Sequence, residues 1–163
     1  MTPDEALLRI GESTGAAVAG ALEAYCPDAV ATQIERLGIG DWVHAEPYIH
    51  QMPLALSVAD LAVSRAGAMA LAELCAWGVP SILVPFPHAA ANHQHHNAQA
   101  LSAAGAAVTI PEADLGPGRL WGELVALMAD DERRRTMAAR ALDRGHPNAA
   151  RDIVEKMTAL LPA

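Results

Sequence analysis

One lysine, one phenylalanine and two cysteines are spread over 163 residues, and each scarcity closes off a class of function. Lysine and arginine total 11 against 19 acidic residues, for a formal net charge of −8. Such a chain lacks the broad positive field that nucleic acid or anionic lipid would require. Aromatic residues make up 4%, too few for a base-stacking platform. Cys26 and Cys75 form no CxxC pair, so no disulfide framework is indicated and a reducing cytoplasm is the simpler setting. The opening MTPDEALLRIGESTGAAVAG carries acidic residues early and no basic start, unlike a signal peptide. The longest apolar run, Leu74 to Pro87, is broken by glycine and prolines and is too short to span a bilayer. Internal repeats and low-complexity linkers are absent as well.

What is present is a 52% apolar chain of one-domain size. Alanine-rich helical patterns alternate with short β-branched runs. Leu7–Ile10 reads as a strand, followed by glycines and a helix from about Ala16 to Tyr25. Trp42–Ala45 is a weak strand, and Pro47 and Pro53 bracket a turn. Strands are predicted over Asp60–Ser64, Ser81–Val84 and Ala107–Ile110. Between them lie a helix to Trp77 ended by Gly78, and a helix capped by Asn92 that runs to Ala104 with Gly105 beyond. Three further helices are predicted over 118–129, 131–144 and 148–161. This alternation implies an α/β fold, a Rossmann-like parallel sheet flanked by helices, with a helical carboxyl-terminal tail. Ligands on such sheets sit beyond the carboxyl ends of the strands. Three loops therefore matter: Ser64–Ala68, Pro85–Gln94 and the one at Ser13.

In the first loop, Ser64-Arg65-Ala66-Gly67-Ala68, a glycine at a helix start lets backbone N–H groups approach an anion, and the helix dipole adds positive charge. A tight strand-to-helix turn would explain the same glycine. Glu73 is the only Asp, Glu, Lys or Arg between Arg65 and Glu112. At about 100° per residue it lies off the face of Leu71, Leu74 and Cys75. From there a carboxylate can accept hydrogen bonds from sugar hydroxyls, although a solvated surface glutamate is the commoner case.

The second loop, HAAANHQHHNA over 88–98, holds four of the seven histidines. Helical phase divides them. Gln94 falls about 20° and Asn97 about 40° from the buried direction set by Leu101. His93 stands at the edge, and His95 and His96 should face solvent. A metal needs converging ligands, but His93 and His96 point about 60° apart and no HExxH or Cys/His spacing occurs. A general-base histidine needs an orienting carboxylate, and the loop contains none. Gln and Asn suit a different task, the uncharged recognition of sugar hydroxyls. His88 either shapes the loop after Pro87 or lines the cleft.

Several of these segments together resemble a known family. The run Ala59-Asp-Leu-Ala-Val-Ser-Arg-Ala-Gly-Ala68, then Ala72-Glu-Leu74, Gly78-Val-Pro80, Pro85-Phe-Pro-His88, His93-Gln94, Asn97-Ala98 and Ala104-Gly-Ala-Ala107, is similar to the carboxyl-terminal half of MurG-type transferases. These are UDP-N-acetylglucosamine–N-acetylmuramyl-(pentapeptide) pyrophosphoryl-undecaprenol N-acetylglucosaminyltransferases. The match runs from about Val43 to the end. It implies one UDP-sugar-binding domain over 1–163, half of a GT-B fold. Carried over by motif, Ile49 would offer backbone hydrogen bonds to uracil, with Met52 beside the base. Gly67 and Ala68 would lie at the diphosphate and Glu73 at the ribose, with His93 and Gln94 against the N-acetylglucosamine. Ser13, Arg65, His88 and Asn97 complete the expected donor-binding set. Family members invert the anomeric centre without an essential bound metal, and neither metal nor cofactor is expected here.

The departures concern the amino-terminal side. The family's acceptor-binding half, its membrane-contacting surface and its proposed catalytic base are not in this chain. Gly11-Glu-Ser-Thr-Gly-Ala16 is similar to the family's GGSxGA phosphate loop, but Glu12 replaces a glycine and would repel a diphosphate unless it turned away. The span from Tyr25 to Asp41 is too short for the expected strand and helix, so either the sheet is shortened or residues 1–40 do not follow the family. The chain is thus expected to bind UDP-N-acetylglucosamine in the cytoplasm, the missing half meeting the inner face of the membrane. It should not turn over alone. The alternatives are a non-catalytic nucleotide-sugar-binding module, the donor subunit of a split transferase with another lipid-linked acceptor, and a related glycolipid synthase.

Overall fold

The computed structural model describes residues 27–160 except 42, 44, 45, 47 and 117. The strand predicted over Leu7–Ile10, the helix over 16–25 and the Ser13 loop lie outside the described residues. Of Trp42–Ala45 only Val43 is described, and it is in no strand.

Three short parallel strands form the sheet: β1 (Ala62–Ser64), β2 (Ser81–Leu83) and β3 (Ala107–Thr109), in the order β1-β2-β3. The register places Ser64 beside Leu83 and Leu83 beside Thr109. Backbone bonds extend the ladder past the strand ends, from Val84 N–H to Ser64 O and from Ile110 N–H to Leu83 O, both 2.9 Å. The predicted strands were each one or two residues longer than those observed. Helices α1 (Pro27–Leu37) and α2 (Met52–Ser57) precede the sheet. Helix α3 (Ala68–Trp77) links β1 to β2, and α4 (His93–Ala103) links β2 to β3. After β3 come α5 (Arg119–Ala129), α6 (Asp131–Leu142) and α7 (Ala149–Ala159). The last carries Ile153, Val154 and Met157 exposed.

Because successive strand residues point to opposite faces, β2 divides the core. Leu83 joins Leu71, Leu74, Cys75, Ala98 and Leu101 from α3 and α4 on one side. Ile82 joins Ile110, Leu127 and Met137 on the other. Both Ile82 and Leu83 are wholly buried. Fully burying such a side chain is worth about 1.5–3 kcal/mol. This explains the unbroken apolar run in the sequence, since a strand covered on both faces has no polar side.

Three expectations bear comparison with the structure. The Pro47–Pro53 turn contains the start of α2, because proline in the first helical turn removes only an N–H that has no partner there. The span from Tyr25 to Asp41, expected to be too short for both a strand and a helix, holds one helix, α1. Asn92 holds the N-cap position of α4 but makes no side-chain cap bond, being left-handed at φ 54° beside Ala91 at φ 49°.

Glycines terminate α3 as predicted. Gly78 is left-handed at φ 64°, and its N–H reaches Cys75 O at 3.1 Å. A Cβ there would also stand 2.6 Å from Leu142 Cγ. At Gly145, a Cβ would stand 2.8 Å from the Cys75 carbonyl oxygen, so α3 and the end of α6 meet without side chains between them. Left-handed backbone costs a non-glycine residue roughly 1–2 kcal/mol before any clash. Gly78→Ala and Gly145→Ala are therefore expected to lower the melting temperature by about 2–4 °C per kcal/mol lost. Gly116→Ala, with open space around its Cβ, should not. Differential scanning calorimetry of the three variants checks this ordering.

Candidate functional site

The carboxyl ends of the three strands release three loops on one edge of the sheet. The first contains Arg65, Ala66 and Gly67. The second runs from Val84 through His88 to Asn92, and the third carries Glu112 directly after β3. Gly67 is the N-cap of α3, in extended conformation, without a side-chain cap bond. A Cβ built on Gly67 would meet nothing within 4 Å, so space remains beside the start of the helix. The first-turn N–H groups of α3 have no intrahelical acceptor, and the helix dipole places partial positive charge at them. Ala68 is exposed there.

Arg65 gathers the loops. Its Nη1 donates to Val84 O at 3.3 Å and to Pro85 O at 3.4 Å, and it pairs with Glu112. The guanidinium also lies over the ring of Phe86, 5.4 Å from its centroid. Phe86 is the only phenylalanine of the chain. Its N–H in turn donates to Gln94 Oε1 at 3.0 Å. Asn97 points inward too, donating from Nδ2 to the carbonyl of fully buried Ala66 at 3.1 Å. The first turn of α4 is thereby fastened to the second loop by Gln94 and to the first by Asn97.

The remaining expected residues are more loosely held. His93 is exposed, with Nδ1 2.8 Å from Ala90 O. A carbonyl oxygen only accepts, so Nδ1 carries the proton in that contact. His88 is exposed and meets Phe86 edge-on at 5.7 Å. Glu73 is exposed on α3, off its buried face as phase predicted. Ile49 and Met52, at the entry to α2, are 44% and 37% exposed. His96 faces solvent as expected, but His95 is half-covered rather than free. Ser13 lies outside the described residues. Among the described residues, no group of three or more His, Cys, Asp or Glu converges as metal ligands would.

Two participants were missed from sequence: Glu112 and Phe86. Glu112 is the first charge after the third strand, and the rule that directs attention to strand ends applies to β3 as well. A separate cavity of about 370 Å³ lies at the opposite, amino-terminal edge of β3. Gly105, Ala107, Thr136 and Arg140 help to line it, away from these loops.

Known proteins share this arrangement. The glycosyltransferase family 28 C-terminal domain matches residues 26–157. A UDP-N-acetylglucosamine–N-acetylmuramyl-(pentapeptide) pyrophosphoryl-undecaprenol N-acetylglucosamine transferase of Moorella thermoacetica is 42% identical over 133 residues, covering 82% of this chain and 36% of its own length. The transferase of the same name from Acetivibrio thermocellus is 48% identical over 109 residues, covering 67% of this chain and 30% of its own. The crystal structure of Acinetobacter baumannii MurG superposes with a TM-score of 0.65 at 31% identity, covering 72% of this chain and 33% of that one. The chain therefore spans about a third of the length of these relatives. The parallel sheet, the loops at its carboxyl edge and the length of the family match agree, and the chain belongs to glycosyltransferase family 28, as a C-terminal domain of the MurG type with the GT-B architecture.

Proposed function

We propose that this domain binds UDP-N-acetylglucosamine at the carboxyl edge of its sheet and is the donor half of an inverting N-acetylglucosaminyltransferase that converts lipid I to lipid II. The observation that carries the reading is the pairing of the uncapped α3 start at Gly67 with a fixed, uncharged Gln94 across the same edge. The first suits a diphosphate and the second a sugar. The activity by which the relatives are named suggests the donor and the acceptor class. In this reading Gly67 and Ala68 meet the diphosphate, Glu73 the ribose hydroxyls, and Ile49 and Met52 the base. His93, Gln94, Asn97 and His88 line the sugar side, and Ser13 contributes from the amino-terminal loop.

The chemistry divides between two halves. Inverting transfer needs a base to take the proton from the acceptor hydroxyl as it attacks the anomeric carbon, while the diphosphate leaves with the electron pair. This domain orients the donor and gathers dipoles at the leaving group. The base and the lipid-linked acceptor belong to the other half of the GT-B cleft. Contact with the membrane's inner face belongs there too, and no helix among the described residues is long and apolar enough to cross a membrane.

Calorimetry with UDP-N-acetylglucosamine, UDP and UDP-glucose tests the binding claim, with EDTA leaving the affinities unchanged. A buried polar group left unpaired costs about 1–3 kcal/mol. Gln94→Ala should therefore weaken UDP-N-acetylglucosamine about tenfold and UDP little. Equal weakening of both would remove Gln94 from the sugar. Glu73→Ala, by contrast, should weaken all three nucleotides together, because all carry the ribose. The purified 163 residues should show no transfer to a lipid-linked acceptor in a radiolabel assay. Robust transfer by this chain alone would overturn the division of labour.

A further inference from the structure

The peptide group between Pro85 and Phe86 is held at both ends. Its carbonyl oxygen faces Arg65 Nη1 at 3.4 Å, and its N–H donates to Gln94 Oε1 at 3.0 Å. The same guanidinium reaches the preceding carbonyl, Val84 O, and lies over the Phe86 ring. Arg65 leaves β1, Pro85 and Phe86 follow β2, and Glu112 follows β3. One cation thus ties the three strand-end loops together, and one peptide plane carries that tie to the side chain expected at the sugar.

The direction of the last bond matters. A backbone N–H can only donate, so the Gln94 atom that meets it is the carbonyl oxygen. The carboxamide is therefore oriented with its NH2 away from the peptide. That NH2 has no protein acceptor among the described residues. Gln94 is presented as a donor, ready for an oxygen lone pair on a ligand rather than for a hydroxyl proton. Bonds linked through one peptide also polarise one another, so the hold of Arg65 on the carbonyl strengthens the N–H as a donor.

Arg65 itself has the chemistry of an anion ligand, but its surroundings assign it elsewhere. Glu112 neutralises it directly, and both side chains are largely buried. Nη1 serves two carbonyls and a carboxylate while the guanidinium plane covers the Phe86 ring, a flat stacking contact that the point charge of lysine cannot reproduce.

We propose that Arg65 is a positioning residue: through the Pro85–Phe86 peptide it fixes Gln94 as a hydrogen-bond donor toward the sugar, and it does not touch the diphosphate. The proposal rests on the donor-binding reading above. Calorimetry with UDP and UDP-N-acetylglucosamine on the wild type, Arg65→Ala, Arg65→Lys, Gln94→Ala and the Arg65→Ala/Gln94→Ala double variant tests it. Arg65→Ala should weaken the sugar nucleotide about tenfold and UDP less than about twofold, because the effect passes through Gln94. Arg65→Lys should not restore the loss, and the double variant should bind no worse than Gln94→Ala. A UDP loss equal to the sugar-nucleotide loss, or additive losses in the double variant, would overturn the proposal. Amide hydrogen exchange followed by NMR, without ligand, supplies an independent arm. In Arg65→Ala the Phe86 amide should exchange about tenfold faster while the Val84 and Ile110 amides keep their rates. Unchanged Phe86 exchange would overturn the proposal whatever the wild type binds. A wild type that binds neither nucleotide would instead sink the donor reading, and with it the direction of Gln94 toward a sugar.

Discussion

A strand with no exposed face cannot exist alone, and β2 is such a strand. Ile82 and Leu83 point to opposite sides of the sheet, and both are wholly buried. Each demands a covering layer. On one side α3 and α4 supply it, and on the other α5 and α6 do. Covering both faces with helices is what makes the sheet parallel, because each crossover helix must carry the chain back before the next strand begins. Parallel strands then put all their carboxyl ends on one edge. The site follows from that constraint, since Arg65, Phe86 and Glu112 share a neighbourhood only because three strands end together.

The loops at that edge are fastened by few, directional contacts. Hydrophobic packing fixes where the helices start but says little about how a carboxamide is turned. Arg65, Asn97 and Gln94 do the finer work, each bonding to backbone, and Arg65 adds the Glu112 carboxylate. Backbone partners are already constrained by the strands, so ordering these side chains costs less than holding two free ends together. A side chain held in this way has little entropy left to lose on binding.

Much of this architecture was legible in the sequence. The strands at 60–64, 81–84 and 107–110 were found because β-branched runs stood between helical patterns. The ends of α3 and α4 were found because Gly78 and Gly105 mark left-handed exits. Helical phase placed Gln94 and Asn97 inward and His96 outward. The failures share a cause, which is that a local preference was read without its tertiary setting. Pro53 reads in sequence as the edge of a turn but stands in the first turn of a helix, and Asn92 reads as a side-chain cap but holds the N-cap position in the left-handed conformation that asparagine tolerates. His95 was judged by phase alone, yet neighbouring structure half-covers it. The Arg65–Glu112 pair spans 47 positions and becomes visible only when the register brings the strand ends together.

The left-handed pair Ala91 and Asn92 bears on how this loop can change over evolutionary time. Alanine has no side-chain bond to offset a φ of 49°, so the surrounding structure imposes that shape. The strain sits immediately before His93, and the side chain of Ala91 takes part in none of the bonds that orient Gln94. Replacement by glycine or asparagine would relax the backbone without altering the hold on Gln94. Position 91 is thus a place where sequence can drift cheaply, while three positions later the bond from Phe86 N–H holds Gln94 to little variation.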